Sequence, residues 1–143
     1  MDRKEFKYLR DLPGKRIDAD IRFLPTRNAN FLAFDGVEIF NEAGYAIVLN
    51  GRFRERFGAV TYNVRLDGVG PICRLCVNST VHGNAGRHHK HSLKTPDCPR
   101  SNIGQDVRPR NDLAGKTARE IFDDFCQKAN ITFTGTFHDP EGS

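Results

Sequence analysis

Four of the chain's five histidines fall within ten positions, in the stretch His82-Gly-Asn-Ala-Gly-Arg87-His88-His89-Lys90-His91. An unperturbed imidazole titrates near pH ~6.5, so it exchanges a proton at neutral pH, and its neutral form ligates metals. If 88–91 is extended, His89 and His91 lie on one face and His88 and Lys90 on the other. His82, brought back by the Gly83–Gly86 turn, can join the His89/His91 face. Two imidazoles flanking a phosphodiester divide the labour of RNA cleavage. One takes the ribose 2′-OH proton and the other protonates the leaving oxygen, each typically worth ~10²–10⁴-fold. Arg87 or Lys90 would stabilise the negative charge that develops on phosphorus, with His88 and Lys94 adding to the same basic, phosphate-holding segment. RNA supplies its own nucleophile, so this chemistry calls for no metal and no cofactor. The plain alternative is a solvated polar loop.

A metal site is the second candidate. His82, His89 and His91 have the makings of a three-histidine centre with an open position. Cys73-Arg-Leu-Cys76 has zinc-ribbon spacing, but its apolar flanks, Ile72 and Val77, read as a strand. Residues three apart on a strand face opposite sides, so the two thiols are expected as buried side chains rather than ligands of one metal. Arg52-Phe-Arg54-Glu-Arg-Phe57 interleaves basic and aromatic residues. It suits an RNA-contacting strand, with Arg52 and Arg54 on phosphates and a phenylalanine under a base, or simply a half-buried strand. Cys126 falls on the apolar stripe of a helix and reads as core. His138 lies in a polar tail. There is no Gly-rich phosphate loop and no Gly-x-Ser-x-Gly element.

Elements that would position these residues follow from periodicity and turn chemistry. A short amphipathic helix with Phe6, Leu9 and Leu12 opens the chain, and Pro13-Gly14 ends it. Ile17–Leu24 has partial alternation. Phe31–Phe34 and Val37–Phe40 around Asp35-Gly36 predict a hairpin, as do Tyr45–Leu49 and Arg52-Phe53 around Asn50-Gly51. Val60–Leu66 and Ile72–Val77, joined through Asp67-Gly68, continue an antiparallel meander of five or six strands. Residues 83–111 read as a long basic loop with one short strand near His89–Leu93. A helix starts at Ala118 behind a Thr117/Glu120 capping box, carries Ile121, Phe122, Phe125, Cys126 and Ala129 as an apolar stripe, and ends at Asn130. Ile131–Phe137 reads as a last strand. The fold class is α+β: one domain over 1–143, an antiparallel sheet with helix on one face.

The net charge of +4 is unevenly spread. Residues 1–60 hold 11 Lys/Arg against 9 Asp/Glu, residues 61–111 hold 8 against 3, and residues 112–143 hold 3 against 6. The positive field lies on the histidine-bearing segment, which suits a phosphate-bearing partner and argues against a DNA mimic. No apolar run approaches the ~20 residues that span a bilayer. The opening Met-Asp-Arg-Lys-Glu-Phe lacks the apolar core of a signal peptide, so the expectation is a cytoplasmic protein with reduced cysteines and no membrane partner.

Around residues 72–93 the sequence resembles the TumE-type toxins of bacterial toxin–antitoxin modules. Their pattern runs from an Arg-x-Asp strand through a histidine to His-His-Lys-His, matched here by His82 and His88-His89-Lys90-His91. It also resembles a family of small bacterial proteins with Leu-x-Arg-Leu-Asp, His-x-Asn-x-x-Gly and His-x-His. Arg74-Leu75-Cys76, His82-Gly-Asn84-Ala-Gly86 and His89-Lys-His91 follow that order. Where both patterns have an acidic residue, this chain has Cys76. The resemblance implies RNA as target and a cognate antitoxin as partner. The sequence thus points first to a metal-independent, ribonuclease-like toxin of mobile-element type. A non-enzymatic module binding nucleic acid, nucleotide or protein, such as a phage anti-defence factor, is the alternative. A histidine-ligated metal hydrolase stands third.

Overall fold

The computed structural model describes residues 3–28, 30–77, 89–91 and 107–141. The first helix, α1 (Arg3–Asp11), buries Leu9 and stops where Pro13-Gly14 turns the chain, with Gly14 at φ 76°. The alternation expected over 17–24 does not make one strand. It breaks into β1 (Lys15–Ile17), β2 (Ile21–Arg22) and β3 (Leu24–Pro25), each paired with a different partner.

β4 (Leu32–Ile39) and β5 (Ile47–Arg54) overturn both expected Asx-Gly hairpins. Asp35-Gly36 is a bulge inside β4, since Phe34 pairs with Gly51 and Val37 with Leu49, leaving two residues opposite Asn50. Gly36 supplies the left-handed φ of 71°, and its N–H donates to Asn50 Oδ1 at 2.8 Å. Asn50-Gly51 is straight strand. The Asn-Gly signal fails because Asn50 spends its side chain on the bulge and Gly51 admits the Phe34 ring, whose Cε1 would lie 2.2 Å from a Cβ there.

A 3₁₀ turn at Glu55–Phe57, closed by Gly58 at φ 59°, leads into β6 (Ala59–Leu66), so only the first half of the 52–57 motif is strand. The Asp67-Gly68 turn connects β6 to β7 (Gly70–Val77) as expected. Two short strands, β8 (His89–His91) and β9 (Val107–Pro109), extend the meander, the second of them unforeseen. Order β3-β4-β5-β6-β7-β8-β9 is antiparallel throughout.

The helix α2 (Ala118–Lys128) begins at the expected capping box. Thr117 Oγ1 accepts from Glu120 N at 3.2 Å, and Glu120 Oε1 accepts from Thr117 N at 3.1 Å. Asn130, at φ 56°, takes the left-handed position after it. The expected last strand divides into β10 (Ile131–Phe133) and β11 (Phe137–His138), which pair in parallel with β1 and β2. Gly135 between them passes so close to Ala19 that a Cβ would meet its carbonyl oxygen at 2.3 Å.

The molecule is α+β: an antiparallel sheet with helices and two small parallel pairs on one face. Tyr62 of β6 marks the join, its ring against Phe122 and Phe125 and its hydroxyl donating to Ala118 O at 2.7 Å. Phe23 sits edge-on to Phe34, Phe53, Tyr62 and Phe137 in the same core. Among the described residues no helix is long and apolar enough to cross a membrane.

Candidate functional site

Alternation on β5 and β6 divides the sheet cleanly. Ile47, Leu49, Phe53, Val60, Tyr62, Val64 and Leu66 go to the core beneath α2. Val48, Asn50, Arg52, Arg54, Ala59, Thr61, Asn63 and Arg65 make the opposite, outer face, where period-2 geometry puts every second residue. Because directly opposed residues in antiparallel strands share a face, the register extends that face across the other strands.

Two rows cross it. One runs Pro109, His89, Cys76, Thr61, Arg52, Ala33, Leu24. The other runs Val107, His91, Arg74, Asn63, Asn50 and the Asp35-Gly36 bulge. His89 and His91 therefore occupy neighbouring rows of the face away from the helix, separated by two strand rises, about 6.8 Å. Lys90 occupies the alternate row with Arg108, Leu75 and Tyr62. His82, Arg87, His88 and Lys94 lie outside the described residues.

The outer face is basic toward β7 and acidic only at its β4 corner. Arg52, Arg54, Arg65 and Arg74 stand on it, against Asp35 and Glu38. Arg52 and Arg54 are exposed, with their Cζ atoms 5.3 and 6.0 Å from the centre of the Phe31 ring. The ring is Phe31 and not Phe53 of the motif, which is buried in the core at 2% exposure. In the middle of the face Asn63 Oδ1 is buried and accepts no hydrogen bond among the described residues. Arg74, Asn63, Thr61 and Phe31 were not singled out from sequence as members of this surface. The polar positions of the Val60–Leu66 alternation signalled Thr61 and Asn63, but nothing local marked Phe31.

Cys73 and Cys76 both lie in β7 and both are buried, with Cys76 on the outer-face row and Cys73 opposite Val64 of the core. Burial pushes the Cys126 thiol up to about 12, so it does not offer a thiolate at neutral pH. Among the described residues no group of three or more His, Cys, Asp or Glu side chains is arranged to hold a metal ion. His138 belongs to the helix side: Arg22 Nη2 donates to its Nε2 at 3.2 Å, and Asp20 Oδ2 stands 3.8 Å from the same nitrogen.

Elsewhere several arginines are paired with acids. Arg110 bridges Asp112 and Asp124 at 3.0 and 2.8 Å, Arg119 pairs with Asp123, and Arg16 pairs with Asp18, whose carboxyl the Thr134 hydroxyl and the guanidinium hold below its usual range. No known family model, curated protein or solved structure matches this chain.

Proposed function

We propose that the protein binds RNA on the outer face of its sheet and cleaves it by histidine acid–base chemistry, without a metal or cofactor, as a toxin restrained by a cognate antitoxin. The observation that carries this reading is the β7–β8 register, which sets His91 opposite Arg74 and His89 opposite Cys76 on one basic face. An imidazole at one of the two positions accepts the ribose 2′-OH proton as the oxygen attacks phosphorus. The P–O5′ bond breaks, and an imidazolium at the other position protonates the departing oxygen, leaving a 2′,3′-cyclic phosphate and a 5′-hydroxyl. Arg74, in the His91 row, is the nearest cation by register to balance charge on the phosphoryl oxygens. Arg87, His88, Lys90 and Lys94 add positive potential from the same segment. His82 remains the third candidate imidazole, and with His89 and His91 it defines the alternative of a metal-assisted hydrolase.

The reading is tested by cleavage of a labelled single-stranded RNA with the wild type, His89→Ala and His91→Ala. Each substitution is expected to lower the rate by at least ~10²-fold while leaving the urea midpoint unchanged. The wild-type profile should be bell-shaped with limbs at roughly pH 5–8, and activity should persist in chelator. Cleavage by both histidine variants at the wild-type rate overturns the mechanism; abolition by chelator transfers the site to a metal.

One observation favours a second reading, a binding module without catalysis. The residue beside His89 in β7 is Cys76, so no carboxylate stands at that register position to orient an imidazole. Under this reading the histidine variants retain biological effect and the arginine variants lose it.

A further inference from the structure

Arg52 and Arg54 differ from the acid-paired arginines of the fold in what they face. Arg10, Arg16, Arg110 and Arg119 each hold an aspartate within 3.0 Å. Among the described residues Arg52 and Arg54 form no ion pair. Their cross-strand neighbours are Ala33 and Thr61 for Arg52 and Ala59 for Arg54, all uncharged. Both guanidiniums lie instead over Phe31, which is half-buried at the start of β4. A ring beneath a guanidinium limits its rotation without cancelling its charge, so two exposed cations are held in place and left unneutralised. The ring contact offsets part of the repulsion between the two like charges but leaves both available to an anionic partner.

We infer that Phe31, Arg52 and Arg54 form a subsite for one unstacked base and its flanking phosphates in a single strand of RNA lying across the sheet strands. The inference rests on the RNA-cleaving reading above and deepens it. Planar guanidiniums stack on bases on one side while resting on an aromatic ring on the other, and their N–H groups reach phosphate oxygens. A duplex does not expose base faces for such stacking, which selects single-stranded substrate. The register His89, Cys76, Thr61, Arg52 gives the separation between the histidine positions and this subsite, Cys76 itself being buried. Three strand spacings separate its ends, about 14 Å, or about four stacked nucleotide rises of ~3.4 Å. A strand that keeps stacked spacing between the histidines and this subsite must therefore exceed three nucleotides.

The test is fluorescence anisotropy with three- and eight-nucleotide single-stranded RNAs over a range of KCl, in a His89→Ala background so that the probe survives. The parent should bind the octamer more tightly than the trimer. The double variant Arg52→Gln/Arg54→Gln should lose that gain and flatten the slope of log K against log salt by about 1.4, at ~0.7 per single-strand phosphate. Phe31→Leu, which keeps both charges, should weaken octamer binding about fivefold or more with the slope retained. Equal urea midpoints exclude misfolding as the cause. Unchanged length and salt dependence in the double variant, with cleavage still histidine-dependent, overturns the subsite and leaves the proposed function standing. A lost gain with cleavage indifferent to His89 and His91 does the reverse. Equal losses on an RNA duplex overturn the single-strand assignment, and a parent that binds no octamer overturns both.

Discussion

Lys15 is 1% exposed, with its Nζ donating to the carbonyls of Leu9 and Arg10 at the end of α1. Burial pushes its amine down to about 8 from the usual 10.5. Between those values the unfolded chain keeps a proton that the folded chain has released. The Lys15 contribution therefore makes folding more favourable as pH rises from about 8 to 10.5. Buried Cys126 and Tyr62, both pushed upward, act in the opposite sense, because the folded state holds their protons longer. The comparison that isolates Lys15 is therefore wild type against Lys15→Met. From pH 7 to pH 10 the wild type should gain on the variant by about 2–3 kcal/mol in urea unfolding. Parallel pH profiles would show that the amine stays charged on folding. Nothing local in Gly14-Lys15-Arg16-Ile17 announces this burial, since the carbonyls that receive the amine belong to the preceding helix.

Elements were legible where a pattern is self-contained. The capping box and the Ile121, Phe122, Phe125, Cys126 stripe fix α2 within its own eleven residues, and all four stripe positions are buried as the period demands. Phe125 packs on Tyr62, so Phe125→Ala should cost about 3–5 kcal/mol by urea unfolding; a loss of a few tenths would mean the helix does not rest on the sheet. The Asp-Gly and Asn-Gly pairs misled because each has two uses, a tight turn or a bulge, and the choice is made by the neighbouring strand. Gly51 shows which use prevailed. Gly51→Ala would drive a methyl into Phe34 and should destabilise by about 1–3 kcal/mol or more, whereas Gly51→Ala combined with Phe34→Leu should recover part of that loss. Additive losses in the double variant would deny the contact.

At the scale of the whole molecule, the candidate site was half legible. Alternation alone put His89 and His91 together on one face of an extended segment, because that relation is local. Arg74, Asn63 and Arg52 join them only through the register of four strands, and the joining loops do not encode register in their composition. The same limit hid the closure of the fold. β1 and β2 near the beginning of the chain pair in parallel with β10 and β11 near its end, bringing residues more than a hundred positions apart into contact. Thr134 N donates to Ile17 O, Ile21 N to Thr136 O, and Thr136 N to Asp20 Oδ1, each at 2.9 Å, around the point where Gly135 presses on Ala19. The obstruction there is backbone, which has no rotamer with which to yield. Gly135→Ala should therefore loosen both parallel pairs at once, at a cost of about 1–3 kcal/mol or more. Hydrogen exchange should quicken at the amides of β1, β2, β10 and β11 while protection in β5 and β6 changes less. On the RNA-binding proposal, affinity should survive in the folded fraction, since this closure is on the face opposite the histidine rows. Exchange that quickens equally in β5 and β6 would show that the closure and the sheet are one cooperative unit.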